Sequence, residues 1–175
     1  MADRHVTTAK PVGTAPGSAL GSAPTAWDLA HRPGFLIRRL HQIHLAMFAE
    51  ECGAFAITPV QFSILSVAAA QPGLEQARLG YAVGVDRTTL ANVVARLEAR
   101  ALLVRVPGTT DRRLKHVSLT QEGLDLLDRI EAPARRAHVR TIEALPAAER
   151  DAFLRALAKL VEAGNGYGRA PLRLG

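Results

Sequence analysis

Residues 84–105 read GVDRTTLANVVARLEARALLVR, and residues 111–120 read DRRLKHVSLT. In the first stretch Leu90, Val93, Val94 and Leu97 fall on one face of a helix, while Arg87, Thr88, Ala91, Asn92 and Ala95 fall on the other. Asp86 stands just ahead, where a carboxylate accepts from the free amides of a first helical turn. Residues 74–83 spell a short helix, and Gly84 and Val85 supply the tight connection. Two helices joined by a short glycine-containing turn make a helix-turn-helix.

Downstream the hydrophobic period shortens. Residues 103–106 and 114–119 are extended runs, and in the second Val117 and Leu119 alternate with His116 and Ser118. Residues 107–113 form a charged tip between them, so the pattern predicts a hairpin. From Asp86 to Lys115 seven basic residues (Arg87, Arg96, Arg100, Arg105, Arg112, Arg113 and Lys115) stand against three acidic ones, a local surplus of four. The whole chain carries 22 Lys and Arg against 16 Asp and Glu, so most of its +6 charge falls on this one unit. That distribution attracts a polyanion.

A helix of this kind fits the major groove of DNA, where Arg pairs with guanine, Asn with adenine, and hydroxyls take phosphate or base contacts. The candidate DNA-contacting residues are Arg87, Thr88, Thr89, Asn92 and Arg96 on the helix, with Asp111, Arg112, Arg113 and Lys115 at the tip. The three tip cations have the length to reach phosphates or the adjoining minor groove. Asp111 is expected to orient one of the guanidinium groups.

Working outward, Thr58, Pro59 and Gln61 form a helix start with a capping hydroxyl, a proline at the first position and a glutamine reaching back. Phe62, Leu65 and Ala69 continue it until residues 71–73, Gln-Pro-Gly, stop it. Before it, residues 33–51 carry two apolar stripes, Leu36, Leu40, Ile43 and Met47 beside Ile37, His41, His44 and Phe48. One face suits the chain's own domain and the other a second subunit. Thr120 caps a long helix from Gln121, with Leu124, Leu127 and Ile130 inward and Pro133 as a possible kink. Pro146 opens a last helix with the stripe Phe153, Leu157, Leu160 and Val161.

The chain therefore divides into a flexible tail at 1–27, an N-terminal dimerisation helix at 28–57, a winged helix-turn-helix at 58–120, C-terminal dimerisation helices at 121–163 and a flexible tail at 164–175. The fold class is mainly α with a small β-wing. The tails are rich in Ala, Gly, Pro and Ser and cannot offset their ordering entropy by burial. Trp27 is expected to pack the chain's entry onto the dimer.

One cysteine, Cys52, excludes an intramolecular disulfide framework and fits a reducing compartment, the cytoplasm. No apolar run approaches the ~20 residues that span a bilayer, and no membrane partner is expected. No nucleophile or acid-base group has the partners that catalysis needs, so neither an enzyme nor a cofactor is expected. His41 and His44, with Glu51 or Cys52, make a thin ligand set for zinc, and no metal site is assigned. Cys52 beside Glu51 suits a structural cysteine better than a redox-sensing thiolate, because the carboxylate raises its pKa. Arg38, His41 and His44 can receive an anionic group while Phe48 and Phe62 cover an apolar one, which makes these five the candidate ligand residues.

DRRLKHVSLT with Glu122 and Gly123 resembles the wing signature of the MarR family, and TPVQFSIL and GVDRTTLANVVARLEARALLVR resemble that family's second helix and recognition helix. The similarity spans roughly residues 35–160. It implies a homodimer with interlocked terminal helices and two recognition helices about 34 Å apart on palindromic double-stranded DNA. It also implies a repressor released from its operator by a small anionic effector, an aromatic acid or an acyl-CoA thioester. Two alternatives share the fold: a metal- or redox-responsive regulator, and a protein-interaction module that no longer binds DNA.

Overall fold

The computed structural model describes residues 28–168 and 170–172. The 1–27 tail and Trp27 lie outside the described residues. Two compact units are distinguished, Met1–Leu36 and Ile37–Gly175. In the first, a 3-10 turn at Leu29–His31 is held by a 2.6 Å contact between His31 Nδ1 and the Asp28 carboxylate, and the first helix begins at Pro33.

The chain order is α1 (Pro33–Cys52), α2 (Pro59–Ala70), β1 (Leu74–Glu75), α3 (Gln76–Val83), α4 (Arg87–Ala99), β2 (Leu103–Pro107), β3 (Lys115–Leu119), α5 (Gln121–Ile142) and α6 (Ala147–Gly164). Local chemistry sets most boundaries. Thr58 and Gln61 close a reciprocal capping box on α2, with Thr58 N donating to Gln61 Oε1 at 2.9 Å and Gln61 N to Thr58 Oγ1 at 3.3 Å. Gly84 ends α3 in the left-handed region at φ 66°. Thr120 caps α5 by accepting from Gly123 N, and the helix runs unbroken through Pro133.

The core is built by α2, α3, α4 and the inner face of α5 around the sheet, with Ile64, Leu65, Leu79, Leu90, Val94, Leu97, Leu103, Val117 and Ile130 at 2% exposure or less. Burying a side chain of this size contributes about 1.5–3 kcal/mol. Two details differ from the sequence reading. Leu124 points outward at 44% exposure, Leu127 is half-buried against the core, and the buried stripe of α5 is Gly123, Leu126, Ile130, Ala134 and Ala137. A repeat of strictly three residues drifts around a 3.6-residue helix, whereas steps of three and four hold one face. Residues 74–83 are not all helix either. Leu74 and Glu75 form a strand antiparallel to β3, opposite Val117 and His116, so the sheet has three strands in the order β1-β3-β2.

The α5 and α6 helices and the Ile37–Cys52 part of α1 leave apolar side chains uncovered: Ile37, Ile43, Val139, Leu154, Leu160 and Val161. No residue of α6 is buried. Beyond α6 the chain makes a 3-10 turn at Asn165–Tyr167, and Leu172 is half-buried.

Candidate nucleic-acid interface and effector pocket

The reading helix α4 is fixed at its start by Asp86. Its Oδ1 accepts from Thr88 N and Thr89 N, both at 3.0 Å, and its Oδ2 accepts from the Thr89 hydroxyl at 2.6 Å. The Thr89 hydroxyl thus belongs to the cap. Arg87, Thr88, Asn92, Ala95 and Arg96 are exposed, whereas Ala91 is half-buried. Glycine allows the close approach of α3 to α4: a β-carbon on Gly80 would stand 3.1 Å from Leu90 Cδ2 and 3.2 Å from Val85 O.

The wing pairs Leu103 with Leu119, Arg105 with Val117 and Pro107 with Lys115. Its tip is a built turn. Gly108 N donates to Leu114 O, Leu114 N to Asp111 O, and Asp111 Oδ1 accepts from Arg113 N at 2.9 Å. The carboxylate of Asp111 therefore holds the tip through the backbone of Arg113 and not through a guanidinium, because a two-residue spacing suits an Asx turn. The wing's base is tied down by Gly73, which donates to Val117 O and Ser118 Oγ and accepts from His116 Nδ1.

Two of the seven cations are structural. Arg100 donates to Ala56 O at 2.7 Å and Phe55 O at 3.0 Å, capping the carbonyls of the turn that joins α1 to α2. Arg105 pairs with Glu98, Nε donating at 2.9 Å, and holds that carboxyl below its usual range. All three acids are also taken up, Asp86 by the cap, Glu98 by Arg105 and Asp111 by the tip. Five cations remain, Arg87 and Arg96 on the helix and Arg112, Arg113 and Lys115 on the wing. All five are exposed, and among the described residues none has an acidic partner. Arg87, Arg113 and Lys115 converge on a cleft of about 590 Å³ between α3, the start of α4 and the wing.

The candidate ligand residues separate. His44, Phe48 and Phe62 come together, with ring centroids 6.1 Å apart for His44–Phe48 and 6.0 Å for Phe48–Phe62. Arg38 and His41 are exposed on α1, though His41 is near enough to bear on His44's charge. His138 of α5, absent from the sequence reading, completes the cluster. It stacks on His44 at 4.9 Å, while His44 Nδ1 shares a 2.9 Å hydrogen bond with the Thr141 hydroxyl. The signal was the pair His138 and Thr141, one helical turn apart. Burial first, then His138 and His41, hold the His44 imidazole below its ordinary value of 6.5. His138 and Phe62 also line an open pocket of about 340 Å³ with Ser66, Val83 and Leu172.

Cys52 is fully buried, and its thiol is pushed up by burial first and by Glu51 second. Among the described residues no group of three or more His, Cys, Asp or Glu side chains is placed to hold a metal ion. No single helix among them is long and apolar enough to cross a membrane.

An exposed helix stripe beside a hairpin tip of uncompensated cations, on a three-strand sheet, defines a winged helix-turn-helix protein. The MarR family model matches residues 57–115. The HTH-type transcriptional repressor NicR of Pseudomonas putida is 34% identical over 150 residues, covering 84% of this chain and 95% of NicR. The PcaV transcriptional regulator of Streptomyces coelicolor, solved with its natural ligand, superposes with a TM-score of 0.73 at 35% identity, over 81% of this chain and 99% of PcaV. BpsR of Bordetella bronchiseptica, whose DNA binding is regulated by 6-hydroxynicotinic acid, superposes at 0.75 with 29% identity, over 80% of this chain and 99% of BpsR. The chain belongs to the MarR family of transcriptional regulators.

Proposed function

We propose that this regulator is a homodimeric repressor that sits on a palindromic operator in the cytoplasm and is released by a small aromatic acid. The observation that carries the DNA reading is the engagement of every acid between Asp86 and Lys115 in local structure, which leaves five cations facing outward. Arg87, Thr88, Asn92 and Arg96 read base edges and phosphates from the major groove. Arg112, Arg113 and Lys115 bind the backbone or the minor groove beside it. The dimer reading is supported by the uncovered apolar side chains of α1, α5 and α6, which a second copy would bury.

The effector reading is supported by the His44–His138–Phe48–Phe62 cluster beside an open pocket. His138 offers the pocket a polar imidazole and Phe62 a flat apolar wall, backed by His44 and the buried Phe48, a match for an aromatic ring bearing a carboxylate. BpsR responds to a ligand of that chemistry. Thiolate sensing at Cys52 is disfavoured by its burial.

The test is selection of genomic fragments by the purified protein at about 150 mM salt with excess competitor DNA, where nonspecific basic proteins lose affinity. Enrichment of a palindrome is expected, followed by its release on titration with a panel of aromatic acids. Absence of any enriched sequence in both the presence and absence of the acids would refute the repressor reading.

A further inference from the structure

Just beyond α6 the chain grips itself. Asn165 Nδ2 donates to Leu172 O and Leu172 N donates to Asn165 Oδ1, both at 2.6 Å, so one amide side chain clasps the backbone seven residues on. That clasp delivers Leu172 to a particular place. Its side chain lines the open pocket with Phe62, Ser66, Val83 and His138, and a β-carbon on Gly84 would stand 3.4 Å from its Cδ1. Ala170 and Pro171, just before it, line the cleft beside Arg87 and Arg113. Tyr167, within the same loop, is 96% exposed. Among the described residues of the loop, contact is thus concentrated at Ala170, Pro171 and Leu172, where the clasp holds it.

A glycine-rich segment after a terminal helix orders only when local bonds and burial offset its entropy. Here the bonds come from Asn165 and the burial from Leu172. We propose that residues 165–168 and 170–172 act as a strap whose Leu172 is a movable wall of the effector pocket, so that an aromatic anion and the seated Leu172 compete for the same space. The proposal rests on the reading of that pocket as the effector site. If the seated strap closes part of the pocket, the apparent dissociation constant equals the intrinsic one divided by the open fraction. Loosening the strap therefore tightens binding. The same motion withdraws Leu172 from Gly84, the turn between the two helices of the reading head.

The experiment uses the full chain and 8-anilinonaphthalene-1-sulfonate, a fluorescent aromatic anion. Leu172→Ala and Asn165→Ala are each expected to bind it about fivefold more tightly than wild type, and Tyr167→Ala is expected to leave affinity unchanged. The gain should vanish when His138→Ala is added to Asn165→Ala, which places the probe in this pocket. Hydrogen exchange at the Leu172 amide, which the clasp protects, should accelerate in Asn165→Ala and shows independently that the strap has opened. Accelerated exchange with unchanged probe affinity overturns the proposal, as does a gain that survives loss of His138. If the probe results hold but aromatic acids release the operator from neither wild type nor Asn165→Ala, the effector reading fails and the strap stands.

Discussion

The reading head and the helical frame are both rich in arginine, yet they use it in opposite ways. In the frame, Arg136 Nε donates to Glu51 at 2.8 Å, and Arg140 reaches Glu51 at 2.9 Å and Glu50 at 2.7 Å, so the charges of α1 and α5 cancel each other. In the head the acids are absorbed by a cap, a wing-base pair and a tip turn, and the cations are left outward. Arginine therefore gives a clamp where α1 and α5 carry six arginines against six acids, and a contact surface where seven cations stand against three acids. What separates them is the number and the placing of the acids. An arginine is available to a ligand only when no nearby carboxylate has claimed it.

The sharpest way to break that contrast is to remove the tip cations. Arg112→Ala with Arg113→Ala is expected to lower operator affinity by tenfold or more at ~150 mM salt and to reduce the slope of log affinity against log salt by about two, with the melting temperature unchanged. Electrophoretic titration across a salt series checks this. Asn92→Ala should instead relax preference at one base pair, by about 1–3 kcal/mol, with the salt slope preserved. Asp86→Ala removes the cap of α4 and should cost about 1 kcal/mol in a urea melt.

The frame gives the converse results. Arg140→Ala should lower the melting temperature and leave the salt slope of DNA binding intact. Because Arg136 and Arg140 hold the Glu51 carboxyl below its ordinary 4.5, the stability it supplies is present above that value and lost as pH falls through the folded-state value. Arg140→Ala should flatten the acid side of the stability profile. His44 adds a second acid sensitivity: with its folded value below 6.5, acidification protonates the unfolded chain first, and stability declines as pH drops below 6.5. His44→Phe should remove that decline. The smallest effect belongs to Ala101, a non-glycine residue at φ 55° in the turn between α4 and β2. Ala101→Gly should stabilise by roughly 0.5 kcal/mol by relieving a left-handed backbone, without touching the DNA face.

Much of the head was legible from the sequence because its signals are local. The Asp86 cap, the inward Leu90–Val94–Leu97 face and the Val117–Leu119 alternation each lie within a few residues. What was missed depends on distant parts of the chain. A two-residue strand at Leu74 and Glu75 is too short to show a period and exists because β3, more than 40 residues on, offers it hydrogen bonds. The roles of Arg100 and Arg105 depend on the carbonyls of Phe55 and Ala56 and on the folded-back wing base, so a charge count overstated the free cations. His138 is marked by nothing around it except Thr141, and it joins the cluster only because α5 crosses α1 beside His44.

One contact at the head's edge sets its mechanics. A β-carbon at Gly123 would overlap the Leu102 carbonyl oxygen, whose neighbour Ala101 accepts from the Thr120 hydroxyl at 2.5 Å. The first turn of α5 is thus seated directly on the backbone that leads into the wing. The helix has 22 residues and is about 33 Å long. A stiff rod of that length pivoting at the glycine would shift its far end by about 3 Å for a tilt of about 5°, close to the rise of one base pair along a DNA strand.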